Sequence, residues 1–406
     1  MGLKSYKINI YTAISFNLAI IAFLDSFVMW NDPLPGKLFT YGLKLINIPA
    51  IFFLVRKNKI EKYIWAVMAI PLVWNVWDEK SLPASIQYLF SSTLPIVSFL
   101  LLKEEYQTYV VKTYLRLILY LFIPGFLIYL LINVISLPHL NYVRDLDKRS
   151  YENYFFLYYT QDTVRFRFSS VFDEPGVVGS LAAIVVLYYR RFLSQKEYLA
   201  YIIAGVLSVS LFFIITFPIL YYFSDIRDLS NRQRIRKIFT VIAAFIVFYF
   251  TLIAILNQLK EIPLFEFAVY NRFKWENGLI IGVVDNRDIL EGFNNAYDKL
   301  MANGGTELLF GKGKNSVTEE FGASGLSYRI TIYEKGIVIV SYMLLLIILI
   351  QHWRKQLVFS VISLIFILLL LYQRTLFFKI DYFILIFVGS GILTKYAKEK
   401  NSPYNT

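Results

Sequence analysis

The residues best suited to chemistry stand in three stretches, each built around arginine. The first is Arg165-Phe-Arg-Phe-Ser-Ser-Val-Phe-Asp-Glu-Pro-Gly176, which sets Arg165 and Arg167 ahead of the carboxylates Asp173 and Glu174. A guanidinium stays charged at any relevant pH and donates paired hydrogen bonds, so it suits a phosphate or pyrophosphate. Pro175 fits the first turn of a helix, whose N-terminus adds partial positive charge for an anion. The same arginines suit lipid headgroups, or pairing with Asp173 and Glu174, and the residues alone leave both readings open.

The second stretch is longer. It holds Asn271-Arg272, Asp285-Asn-Arg287-Asp288, Gly311-Lys-Gly-Lys314, Tyr328-Arg329 and Glu334-Lys-Gly336. Arg272 and Arg287 could hold an anion, or pair with Glu276, Asp285 or Asp288. The glycine-rich piece is not a nucleotide loop, because that needs GxxxxGK[ST] after a strand. It reads as a turn. The third place is Gln373-Arg374, on a short connection where an arginine either reaches the interface or completes a positive site. Histidine chemistry is nearly excluded, since only His139 and His352 exist. The absence of cysteine excludes disulfides and thiolate metal sites.

What must position these residues is a helical membrane bundle. The chain is 57% hydrophobic and 17% charged, against about 25% charged for a soluble domain. Its apolar runs reach the roughly 20 residues that cross a bilayer. The expected fold is all-α and polytopic, with helices over 8–28, 38–55, 63–77, 83–102, 114–136, 175–190, 198–209, 211–223, 238–257, 336–353, 357–372 and 379–394. Segment 198–223 is ambiguous, as one span or as a hairpin turning near Ser208–Ser210. The positive-inside rule decides for the hairpin. It puts Lys4, Lys7, Arg56–Lys62, Arg190–Lys196, Arg227–Lys237, Arg354–Lys355 and Lys395–Lys400 on one side, with both termini cytoplasmic. The formal charge of +12 is then a topology signal, with some affinity for anionic membrane lipids, and implies no nucleic acid.

Two loops fall on the opposite, extracytoplasmic side of a single membrane domain. Loop A is 137–173, with five Lys+Arg and five Asp+Glu; loop B is 258–335, with nine against eleven. Within loop B, 286–302 carries apolar residues at helical spacing up to Gly304-Gly305, which predicts an amphipathic helix lying on the membrane or the bundle. The many tyrosines and tryptophans suit stacking on sugars, but interfacial belts account for most of them. Asp25 and Asp381 lie in or near apolar spans with no assignable role.

RFRFSSVFDEPG entering a helix resembles the shared signature of O-antigen polymerases (the Wzy class) and O-antigen ligases. So do YNRF…G…DNR in a large late loop, LLFGKG, Y-E-K-G opening the next helix, and QR before the last one. The resemblance runs in order from Arg165 to Arg374. Arg165 and Gly176 match an R-x10-G pattern of these polymerases, with no second copy starting at Arg272 or Arg287.

The resemblance implies a cofactor-free, metal-independent inverting glycosyltransferase with a GT-C-like membrane fold, in the bacterial inner membrane and facing the periplasm. Its donor and acceptor would be oligosaccharide units on undecaprenyl pyrophosphate, with a chain-length regulator as a further partner. Arg165, Arg167, Arg272, Arg287 and Arg374 are then expected to bind pyrophosphate and sugar, and Glu174 or Glu334 to serve as base. Ligases carry a histidine nine residues before the glutamate that opens this late helix, where Gly325 stands here. That favours polymerase over ligase. A flippase of the same lipid-linked sugars is the non-enzymatic alternative, though transporters concentrate polar groups at the midplane rather than in loops.

Overall fold

A chain this apolar satisfies its backbone internally, and helix accounts for 79% of the structure. The computed structural model describes residues 9–27, 34–58, 62, 64–69, 86, 89–135, 137–144, 150–160, 167–172, 174–190, 192–225, 231–262, 266, 270–283, 291–313, 316–322, 328–353, 364, 366–370 and 379–400.

Helix α1, Ile10–Ser26, opens where the Asn9 side chain accepts from the Tyr11 amide at 3.1 Å. The span expected at 38–55 is α2, Leu34–Leu45, and α3, Asn47–Lys57. Pro49 has no N–H for the Leu45 carbonyl, so the ladder falters at Ile46. Pro95 does the same to the next stretch, where a π-turn, Leu89–Thr93, leads into α4, Leu94–Leu101. Helix α5, Glu104–Ile135, starts well before the expected Tyr114, because hydropathy marks only the apolar part of a helix while its polar first turns wind on.

Segment 198–223 does break. Helix α7, Gln195–Leu207, and α8, Leu211–Asp225, meet at the turn Ser208–Ser210, where Val209 takes φ 46°. Ser194 and Glu197 form a capping box at the start of α7. Against this pair packs α6, Pro175–Tyr188, every residue of which is buried. Helix α9, Asn231–Leu259, follows, and α14, Ile380–Lys400, closes the bundle against α6, α5 and α1.

By length and composition two described helices could cross a membrane, Pro35–Lys57 (counted through Ile46) and Glu104–Ile135, with shorter apolar helices beside them. Helix α5 exposes Tyr120 (67%), Ile123 (58%), Leu127 (59%), Leu130 (58%) and Val134 (79%). That spacing makes one continuous apolar stripe, which water would penalise.

The all-α expectation needs one amendment, because both loops contain small antiparallel sheets. In loop A, β1 (Asn141–Arg144), β2 (Ser150–Asn153) and β3 (Tyr158–Thr160) lie in sequence order. Tyrosines suit a pleated surface, and Tyr151 and Tyr159, on opposite faces of the sheet by its register, are both buried. In loop B, β4 (Phe273–Glu276) and β5 (Leu279–Val283) form a hairpin. Its Asn277-Gly278 turn has φ 50° and 76°, the pairing that two-residue hairpins favour.

Asp25 and Asp381, which had no assignable role, join four helices. Asp25 meets Lys44 of α2 at 2.8 Å, and both are largely buried. Ser26 donates to Asp381 Oδ2 at 3.0 Å and lies 2.9 Å from the Tyr114 hydroxyl. Removing one partner of such a pair leaves an uncompensated buried charge, which costs about 3–5 kcal/mol. Lys44→Met is therefore expected to lower Tm in detergent sharply. Lys44→Met combined with Asp25→Asn should recover most of the loss, and thermal unfolding of the two variants checks it.

Candidate functional site

The return of loop A is threaded into the bundle rather than laid on it. Phe168 stacks on Phe126 with centroids 4.5 Å apart and meets the edges of Phe122 and Tyr129. Its amide donates to the Leu207 carbonyl at 2.8 Å. Beside it, the buried Arg167 donates through Nε to the Ser208 carbonyl at 3.1 Å. A cation at the carboxyl end of α7 answers both the unpaired carbonyls and the negative end of the helix dipole.

Two glycines permit this threading. A Cβ on Gly125 would lie 3.1 Å from the Phe156 carbonyl oxygen and 3.2 Å from Ser170 Oγ. A Cβ on Gly179 would collide with the Ser210 side chain. Loop A therefore rests on α5, and α6 rests on the α7–α8 turn. Glu174 then sits at the N-cap of α6 with an extended backbone, followed by Pro175 at the start. Its side chain makes no capping hydrogen bond, and the residue is half-exposed.

Loop B has a core of its own. Helix α10, Glu291–Asn303, is the amphipathic helix expected near 286–302, of which 284–290 lie outside the described residues. Phe293, Tyr297 and Leu300 turn towards Val317, Ile330 and Tyr333. These belong to α12, Ser316–Phe321, and to the first turns of α13, Tyr328–Trp353. The apolar face of α10 is therefore satisfied within the loop. Arg329 donates to Asn294 Oδ1 at 3.0 Å and lies over the Tyr297 ring, tying α10 to α13.

Helix α13 is broken at Gly336, whose φ of 78° and ψ of 164° are not helical. The short helix α11, Thr306–Phe310, ends there in the turn Gly311–Gly313. Lys312 N donates to the Tyr333 carbonyl at 2.8 Å and Gly313 N to the Glu334 carbonyl at 2.9 Å. A Cβ on Gly311 would strike the Glu334 carbonyl, and one on Gly336 would strike the Leu309 carbonyl. Each glycine thus makes room for the other segment's backbone, and LLFGKG and YEKG, separate in the sequence, form one clasp.

A side-chain triad sits over the clasp. Lys312 Nζ donates to the Tyr333 hydroxyl at 2.8 Å and lies 3.5 Å from Glu320 Oε2, to which Tyr333 donates at 2.7 Å. The hydrogen bond to Tyr333 raises the Lys312 pKa, and burial raises that of Tyr333. The sequence reading took Gly311–Lys314 for a plain turn and missed this cluster. The available signal was the spacing Gly311-Lys-Gly313, with Glu320 and Tyr333-Glu334-Lys-Gly336 following.

Of the two residues expected to serve as base, Glu334 lies in the clasp and Glu174 at the α6 N-cap; of those expected to hold substrate, Arg167 lies under the α7–α8 turn. Arg272 closes a 3-10 turn, Tyr270–Arg272, ahead of the hairpin, and its side chain lies outside what is described. Arg165, Arg287 and Arg374 lie outside the described residues, as does Asp173. Among the described residues no group of three or more His, Asp or Glu is placed to hold a metal ion. Comparison with known protein families, with curated proteins and with solved structures finds no match for this chain.

Lys312 has a raised pKa in the folded state, so its contribution is complete below the unfolded lysine value of about 10.4. It is lost as pH rises through the folded value. The clasp is thus expected to be insensitive to pH across the neutral range. The wild-type chain should lose stability above about pH 10.4 more steeply than Lys312→Met, as thermal unfolding across that range would report.

Proposed function

We propose that this protein polymerises lipid-linked oligosaccharide repeat units at the outer face of the bacterial inner membrane. In this reading the chain is a twelve-span GT-C-like protein with cytoplasmic termini, and loops A and B cover a site open to the periplasm. The observation that carries it is the ordered motif set from Arg165 to Arg374. Two of its members, LLFGKG and YEKG, interlock backbone to backbone, as expected of parts of one device. The apolar stripe on α5 supports the membrane setting.

The reaction joins a growing chain on undecaprenyl pyrophosphate to a fresh lipid-linked unit. A sugar hydroxyl oxygen of the acceptor forms a bond to the donor's anomeric carbon from the face opposite the pyrophosphate. The bond to the pyrophosphate oxygen breaks, and its electron pair leaves with that oxygen. The hydroxyl proton passes to a carboxylate, Glu174 or Glu334. Both are half-exposed, Glu174 at the N-cap of α6 and Glu334 in the turn of α13 before its break, and a base must be within reach of the proton it takes. Charge developing on the leaving oxygen is what guanidinium groups stabilise. Arg165, Arg272, Arg287 and Arg374 take that role here. Arg167, with its Nε engaged at α7, holds the segment that carries Arg165.

Gly325 in the place of the ligase histidine favours polymerisation over ligation. The purified chain, given a synthetic lipid-linked repeat unit and no added metal, is expected to yield dimers and longer products. Arg165→Ala and Arg272→Ala should each lower the rate about 10²–10³-fold, with poor rescue by Lys, which cannot donate the paired bonds. No elongation, or full activity in both alanine variants, would overturn the reading.

A further inference from the structure

We propose that the turn Gly311–Gly313 is the element that positions Glu334 for catalysis, with Lys312 as its positioning residue. The inference rests on the polymerase reading and narrows it, because it selects Glu334 over Glu174 as the acceptor's base.

Glu334 stands at the last turn before the break at Gly336, where the remainder of α13 runs on to Trp353. Helical hydrogen bonding does not by itself fix that turn's angle to the rest of α13, because a residue at φ 78° interrupts the helix between them. The clasp supplies the constraint. The Glu334 carbonyl accepts from Gly313 N, the Tyr333 carbonyl accepts from Lys312 N, and the Gly311 Cα packs against the Glu334–Lys335 peptide. The backbone of Glu334 is thereby gripped from one side by three consecutive residues of another segment.

The triad keeps the grip closed. Tyr333, the immediate neighbour of Glu334, is fully buried, with its hydroxyl held between Lys312 and Glu320. Its ring lies against Phe293 and Phe321 of the loop B core. Rotation of the Tyr333–Glu334 turn would tear this ring from its pocket. The backbone from which the Glu334 carboxylate extends is thus set by the loop core through Tyr333 and by the turn through its own carbonyl.

A purely structural clasp and a positioning clasp differ in what they do to kinetics. A base displaced by about 1 Å costs on the order of 10²-fold in rate while substrate still binds. Gly311→Ala and Lys312→Met in the full-length chain are therefore expected to lower kcat with little change in KM. Lys312→Arg, which can still donate to Tyr333, should restore most of it. Gly304→Ala is the control, since Gly304 also has positive φ (63°) but an added Cβ there meets nothing. It should behave as wild type.

The decisive arm is a double-mutant cycle. In a Glu334→Gln background the base is already gone, so Gly311→Ala and Lys312→Met are expected to cause no further loss. Elution as a single species at the wild-type position qualifies each variant for comparison. Losses that multiply in the Glu334→Gln background, or a Glu334→Gln variant with wild-type kcat, would overturn the proposal while leaving polymerisation itself standing. A wild-type chain that elongates nothing would remove both.

Discussion

Backbone that departs from helix must find other partners or close packing, and three described breaks show how this is done. Between α7 and α8 the turn is closed by the Arg167 guanidinium on the Ser208 carbonyl and by Gly179 fitting against Ser210. Where loop A dips onto α5, Gly125 lets the Phe156 carbonyl approach. Where α13 breaks, Gly311 and Gly336 admit each other's backbone. In each case a glycine removes a Cβ that would otherwise hold two segments apart. The loops are consequently docked, and a docked loop can carry a group to a defined place.

Much of the helical framework was legible, because hydropathy reports which residues avoid water and proline reports where the ladder fails. A turn at Ser208–Ser210 was one of two readings of 198–223, chosen on charge, and the structure shows the helix broken there. Helix starts were read late at Glu104 and Asn231, because polar helical turns carry no hydropathy signal. The small sheets went unread for a related reason. Strands of three to five residues in a polar loop offer too few alternations to show a period of two.

Candidate-site residues were legible by type but not by partnership. Arg167 was expected at a ligand, and its Nε is committed to a helix end, which no spacing in the sequence announces. Gly311-Lys312-Gly313 read as an ordinary turn because its counterpart, Tyr333-Glu334-Lys335-Gly336, lies over 20 residues away. Only the fold shows that the two glycines share one close approach. Asp25, Lys44, Ser26, Tyr114 and Asp381 were scattered single polar residues in apolar runs. Their association across four helices explains why charges persist there.

The proposed function requires that loops A and B face the same outer compartment, opposite the basic segments. The chain has no cysteine, so Leu140→Cys, Glu276→Cys and Lys196→Cys each create a single reporter at an exposed position. Labelling of intact spheroplasts with a membrane-impermeant maleimide is expected to modify the first two at once. The third should react only after permeabilisation. Modification of Lys196→Cys from outside, or protection of Leu140→Cys or Glu276→Cys until the membrane is opened, would contradict it.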